Sequence, residues 1–130
     1  MKTRKIWANL VVSNLERTSE FYTALGFKPN NPNTSKDLTS FFVGDENFVI
    51  HFFKDNFKAG FDGKIASLDQ GNEIVFSLSA ESKAEVDEWV LAVKNAGGTV
   101  TTEPQNFEKG YLFGFSDPDG HKFNVLYWPG

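Results

Sequence analysis

Two histidines, His51 and His121, and no cysteine set the limits of imidazole and thiolate chemistry in this 130-residue chain. An imidazole can move a proton near neutral pH or ligate a divalent ion, and a carboxylate such as Glu73 can serve as a base. What each does depends on its neighbours. His51 lies in "NFVIHFFK", where aromatic and aliphatic residues alternate, and Asn124 has the same kind of surroundings in "HKFNVLYW". Polar side chains inside apolar runs are where a site is sought first. His121 sits in a different context, "GFSDPDGHKF", where proline, glycine and two aspartates suggest a turn.

The composition excludes several other functions. Without cysteine there are no disulfides, thiolate nucleophiles or zinc–thiolate sites, which fits a reducing cytoplasm. Thirteen basic against seventeen acidic residues, a formal charge of −4, argue against a surface that tracks nucleic-acid phosphates. The start, "MKTRKIWANLVV", is basic and then apolar for about seven residues, too short to span a bilayer. The expectation is a cytoplasmic protein with no membrane or nucleic-acid partner.

The elements that must position these residues follow from periodicity. In "ESKAEVDEWVLAVKNAGG", Val86, Trp89, Val90 and Val93 form the stripe of an amphipathic helix, with a capping box at Ser82 and Glu85 and a stop at Gly97-Gly98. "SNLERTSEFYTALGF" repeats that grammar, with Ser13 and Glu16 at its start and Gly26 at its end. A strand-like run precedes each helix, "KIWANLVV" and "NEIVFSLSA", and three follow each. The predicted fold class is α+β: two tandem βαβββ modules, residues 1–54 and 72–130, joined by a period-less connection over 55–71. Neither half is large enough to bury a core alone. The two should form a curved mixed-sheet cavity with helices outside.

Alternation then sorts the side chains. Ile6, Ala8, Leu10 and Val12 fall on one face of the first strand, opposite Trp7, Asn9 and Val11. Ile74, Phe76, Leu78 and Ala80 oppose Glu73, Val75, Ser77 and Ser79 in the same way. The second face of each sheet is expected to be a mostly apolar pocket with a few convergent polar groups. It would carry Trp7, Asn9, His51 and Phe53 in one module, and Glu73, Ser77, Asn124 and Trp128 in the other. Tyr111, Phe113 and Phe115 are further candidates for ligand stacking.

The repeat, with "NLVVSNLERTSEFYTALGF", "AGG" after the second helix and "FSDPDGHKFNVLYW" at the end, resembles the vicinal oxygen chelate superfamily. That group includes glyoxalases, bleomycin-resistance proteins and extradiol dioxygenases, and within it the chain looks most like bacterial proteins labelled predicted lactoylglutathione lyases. The resemblance implies a single glyoxalase-like domain over residues 1–130, a homodimer, a small-molecule ligand and a divalent zinc, nickel, manganese or iron ion. It makes "DPDGH" the turn into the last strand, with His121 serving that turn. It places the metal ligands at Trp7, His51, Val75 and Asn124. Of these His51 is a good ligand and Asn124 a weak one, while Trp7 and Val75 cannot bind an ion. A displaced set, Asn9, His51, Glu73 and Asn124, is an alternative.

Two functions follow from the resemblance. One is a glyoxalase-like lyase or isomerase, related to the dioxygenases, with His51 or Glu73 as catalytic base and Asn9 and Asn124 holding an oxyanion. The other is a metal-independent protein that sequesters a drug or metabolite between aromatic walls. Glutathione would need cationic partners for its carboxylates, and the chain has two arginines, Arg4 and Arg17, neither placed on the pocket face by alternation.

Overall fold

The computed structural model describes residues 1–54 and 65–130, which fall into two compact units, Met1–Ile65 and Ala66–Gly130. In the first, β1 (Trp7–Val12) leads into α1 (Leu15–Ala24), then β2 (Lys28–Pro29), β3 (Leu38–Val43) and β4 (Phe48–Lys54). The second repeats the plan with β5 (Val75–Ala80), α2 (Lys83–Ala96), β6 (Thr99–Phe107), β7 (Gly110–Ser116) and β8 (Lys122–Tyr127). The fold is α+β, built from two βαβββ modules. Most of the connection expected over 55–71 lies outside the described residues; within the rest, Leu68–Gln70 forms a 3-10 turn.

Each module folds into one four-stranded mixed sheet, ordered β1-β4-β3-β2 and β5-β8-β7-β6. The helix carries the chain across the sheet, and two antiparallel returns then bring the last strand beside the first. This makes β1 parallel to β4 and β5 parallel to β8.

Both helices start at side-chain caps. Ser82 Oγ accepts from the Glu85 N–H at 3.0 Å, as the capping box predicts, and Glu85 Oε2 reaches back to the Glu81 N–H at 2.8 Å. α1 departs from expectation by one residue. Its cap is Asn14, whose Oδ1 accepts from the Arg17 N–H at 3.0 Å, while Ser13 Oγ accepts from the Arg17 guanidinium at 2.9 Å. Asparagine caps as well as serine does, so "SN" offers two starts, and the backbone takes the second. At the far end of α2, Gly97 adopts φ +96°, the left-handed conformation that lets its N–H and that of Gly98 reach back to the last carbonyls.

The helix-facing layers form the cores. Between α1 and its sheet, Phe21 and Tyr22 of the helix and Phe41, Ile50 and Phe52 of the strands are almost fully buried, with Tyr22 stacked on Phe52 at 4.6 Å between ring centroids. On the inner side of α2, Val86 and Val93 are fully buried, and beneath them Phe115 stacks on Phe123 at 5.0 Å and 4°. Ile6 and Ile74, read from alternation as helix-side residues, are instead 76% and 53% exposed. Each precedes the first residue of its strand, so the sheet does not hold it against the helix.

Candidate ligand-binding site

Strand register decides which polar residues meet. In the first module Asn9, His51 and Ser40 are direct partners across β1, β4 and β3, and Trp7, Val49 and Phe42 form the row two residues away. Laterally paired residues share a face, so all six side chains lie on the face turned away from α1. Trp7 sits edge-on to His51 at 6.4 Å between centroids, and Phe53 does the same from the other side at 6.0 Å. The structure thus brings together four sequence-predicted residues, Trp7, Asn9, His51 and Phe53.

This face borders a pocket of about 640 Å³, a volume suited to a small organic molecule. Trp7, Phe42, Phe48 and Val49 give it apolar walls, and Asn30, Asn33, Asn47 and His51 supply neutral polar groups. Its charges are Arg4 and Lys5 against Glu46. Alternation left Arg4 unplaced because it precedes β1. The structure puts it in the pocket wall. Arg17, on α1, does not line this pocket.

Behind the pocket, Asn30 Nδ2 donates to Ser40 Oγ at 3.1 Å, and Ser40 Oγ lies 2.9 Å from His51 Nδ1. Ser40 is fully buried and Asn30 nearly so, whereas His51 is half-buried. Burial disfavours the imidazolium and lowers the His51 pKa below the ordinary histidine value, which favours the neutral ring. Sequence reading missed Ser40 and Asn30. Ser40 alternates with Phe41 in "TSFFVG", a signal that needed the β3–β4 register to become useful. That register is set by the turn between the two strands, where Gly44 and Asn47 both take positive φ.

In the second module Ser77, Asn124 and Gly114 are direct partners across β5, β8 and β7, on the face turned away from α2. Asn124 Oδ1 is buried and has no hydrogen-bond partner among the described residues. Trp128 follows β8 with its ring beneath the Lys109 ammonium at 5.7 Å, and Gly110 leaves room for it, since a Cβ there would lie 2.7 Å from the indole. Glu73 is exposed and precedes β5; the residue paired with Asn124 is Ser77, four positions further on.

Tyr111, Phe113 and Phe115 belong to the other face. β7 pairs antiparallel with β8 so that they stand beside Tyr127, Val125 and Phe123, the layer under α2. Phe113 and Phe115 are 0% exposed and therefore offer no stacking surface to a ligand. Tyr111 is tied to α2: its hydroxyl donates to Asp87 at 2.8 Å, which raises its pKa, and the Lys83 ammonium lies 5.6 Å from its ring centroid. His121 is buried in the turn before β8, where Asp117 Oδ1 accepts from the N–H groups of Asp119, Gly120 and His121 at 2.9–3.0 Å.

Fold and site together define a class: proteins of two tandem βαβββ modules in which the helix-free sheet faces hold polar side chains among aromatic ones. The model of the Glyoxalase/Bleomycin resistance protein/Dioxygenase superfamily matches residues 6–125, and the chain belongs to that superfamily. No curated protein matches it. Among solved structures it is similar to hypothetical protein SA1046 from S. aureus, at 33% identity over 96% of this chain and 97% of that one, with a TM-score of 0.77. A glyoxalase-related enzyme from Fulvimarina pelagi superposes with a TM-score of 0.82 at 18% identity, over 98% of this chain and 90% of that one. The fosfomycin resistance protein FosX from Listeria monocytogenes, complexed with Mn(II) and sulfate, gives a TM-score of 0.72 at 19% identity, over 98% and 91%. The last two likenesses establish the fold alone.

The divalent ion that the superfamily implies does not fit the residues present. At the four corresponding places His51 has one ring nitrogen engaged by Ser40, Asn124 offers a neutral oxygen, and Trp7 and Val75 have no donor for a metal. Among the described residues no three histidine, aspartate or glutamate side chains gather where they could hold an ion. The displaced set has Asn9 opposite His51 in one module, but in the other Glu73 precedes β5, four residues short of Ser77, the partner of Asn124.

Proposed function

We propose that this chain binds a small amphipathic molecule, with a planar apolar part, on the helix-free face of its first sheet, and that it does so without a resident metal ion. The observation that carries this reading is Trp7, half-exposed in the pocket wall and edge-on to His51. An indole in that position offers stacking area at low entropic cost, and nearby amides and an imidazole can fix orientation. Sequestration of a drug or metabolite needs no more than this. A lyase or isomerase reaction would use His51 or Glu73 as base. Glu73 lies exposed before β5 and His51 Nδ1 faces Ser40, so binding is the reading better supported. Absence of cysteine supports a cytoplasmic setting. A homodimer is part of the same reading, supported by exposed apolar residues on the outer strands of both sheets, Trp7 on β1 and Val75 on β5.

The test is fluorescence titration with 1-naphthoate, an aromatic carboxylate, on protein stripped with chelator and on protein reloaded with zinc or manganese. Quenching that is equal in both samples and lost in Trp7→Phe is the expected result. Quenching that requires the ion would overturn the metal-free part, and quenching retained in Trp7→Phe would move the site elsewhere.

A further inference from the structure

The buried side chains behind the pocket determine what His51 can offer a ligand. A serine hydroxyl has one proton to give and two lone pairs to receive with. Ser40 is 0% exposed, so solvent cannot satisfy it, and its side chain meets two partners, Asn30 Nδ2 and His51 Nδ1. The Asn30 amide is a donor and occupies a lone pair. Among the described residues the hydroxyl proton then has one acceptor to go to, the Nδ1 lone pair of His51. A neutral imidazole whose Nδ1 accepts carries its own proton on Nε2. The opposite arrangement, Nδ1–H donating to Ser40, would leave the buried serine proton with no acceptor among the described residues.

We propose that Asn30 and Ser40 hold His51 as an Nε2–H donor, so that the pocket receives an acceptor oxygen on its ligand, and that with Arg4 and Lys5 in the same wall this oxygen belongs to an anion such as a carboxylate. This deepens the binding reading above and rests on it. Nδ1 is taken by Ser40, so Nε2 is the nitrogen left to a ligand, and with a proton on it that nitrogen neither ligates a metal ion nor accepts a proton. The relay thus agrees with the poor metal donor set on independent grounds. The two cations against Glu46 leave the pocket wall net positive in a chain whose formal charge is −4. An anion is therefore favoured there over a cation of the same shape. Asn30 and Ser40 are positioning residues: they act on the ligand through the imidazole.

The side-chain nitrogens of the two histidines can be read directly by long-range proton–nitrogen NMR on the labelled full chain, above the imidazole titration range, with His51→Gln assigning the signals. The expected spectrum for His51 is a pyridine-like Nδ1 and a pyrrole-like Nε2. Ser40→Ala should release the ring into a mixture of tautomers. Asn30→Asp should reverse the relay, because a carboxylate accepts the serine proton and Ser40 then accepts from Nδ1–H. A pyrrole-like Nδ1 in the native chain, or tautomers indifferent to both substitutions, would overturn the donor role. For the ligand class, 1-naphthoate is compared with 1-naphthylmethylamine by Trp7 quenching. The carboxylate should bind at least roughly tenfold more tightly, and His51→Phe, which keeps an aromatic ring but has no N–H, should reduce that preference. Equal affinity for the amine would overturn the anion assignment. If neither probe binds, the binding reading fails and the ligand class with it, whereas the nitrogen signals still decide the state of His51.

Discussion

His51 resists protonation because folding takes part of its ring out of water. The folded chain therefore binds fewer protons at this site than the unfolded chain. The resulting stability is present in full above the unfolded value of about 6.5 and is lost as pH falls through the lower folded value. His51→Gln should flatten the slope of stability against pH between roughly 7.5 and 5, measured as urea midpoints at a series of pH values. Equal slopes in the two proteins would mean that His51 is as easily protonated folded as unfolded. The same residue shows what was legible locally. Its position among alternating aromatics was visible in "NFVIHFFK", but Ser40 and Asn30 lie eleven and twenty-one residues earlier in sequence and were brought to it by pairing across β3 and β4.

The helices were legible because their signals are confined to a few consecutive residues. Val86, Val90 and Val93 recur at helical spacing and are the buried residues of α2, and Ser82 caps it as its sequence requires. The start of α1 was ambiguous because Ser13 and Asn14 are both good caps, and the structure selects Asn14. Asn14→Ala should therefore cost about 1 kcal/mol of stability, and Ser13→Ala, which loses an exposed contact to a guanidinium, should cost less. Thermal or urea unfolding of the pair checks the order, and a larger loss from Ser13→Ala would contradict it. The strands were harder to assign by face. Tyr111, Phe113 and Phe115 alternate as cleanly as any residues in the chain, yet alternation alone cannot say which face receives the helix. Their pairing with Tyr127, Val125 and Phe123 decides that they are core.

For the molecule as a whole, the internal repeat is the strongest information in the sequence, and the family match over residues 6–125 covers both copies. The two copies carry different chemistry on equivalent faces. The first has His51 backed by Ser40 and Asn30, and the second has Asn124 with a buried oxygen that lacks a partner among the described residues. Among the described residues the exposed apolar Trp7 and Val75 lie on strands that end their sheets, where backbone edges and apolar side chains invite association. Sedimentation equilibrium at micromolar concentration should return twice the chain mass. A monomer mass would count against the dimer but leave the first-module pocket untouched, since all its lining residues come from one unit. Among the described residues no helix is long and apolar enough to cross a membrane.

By itself the sequence determined the element order, the repeat, both helix stops and the poverty of metal donors, because each depends on residue type or on spacing within a few turns of chain. Only the tertiary structure decided that Arg4 reaches the pocket, that Phe113 and Phe115 do not, and that Asn30 and Ser40 stand behind His51. The faces of Ser40, Phe113 and Phe115 depend on which strands pair and in which register, and a shift of one residue would have sent them to the opposite side, while Arg4 and Asn30 are placed by the chain just outside β1 and β2.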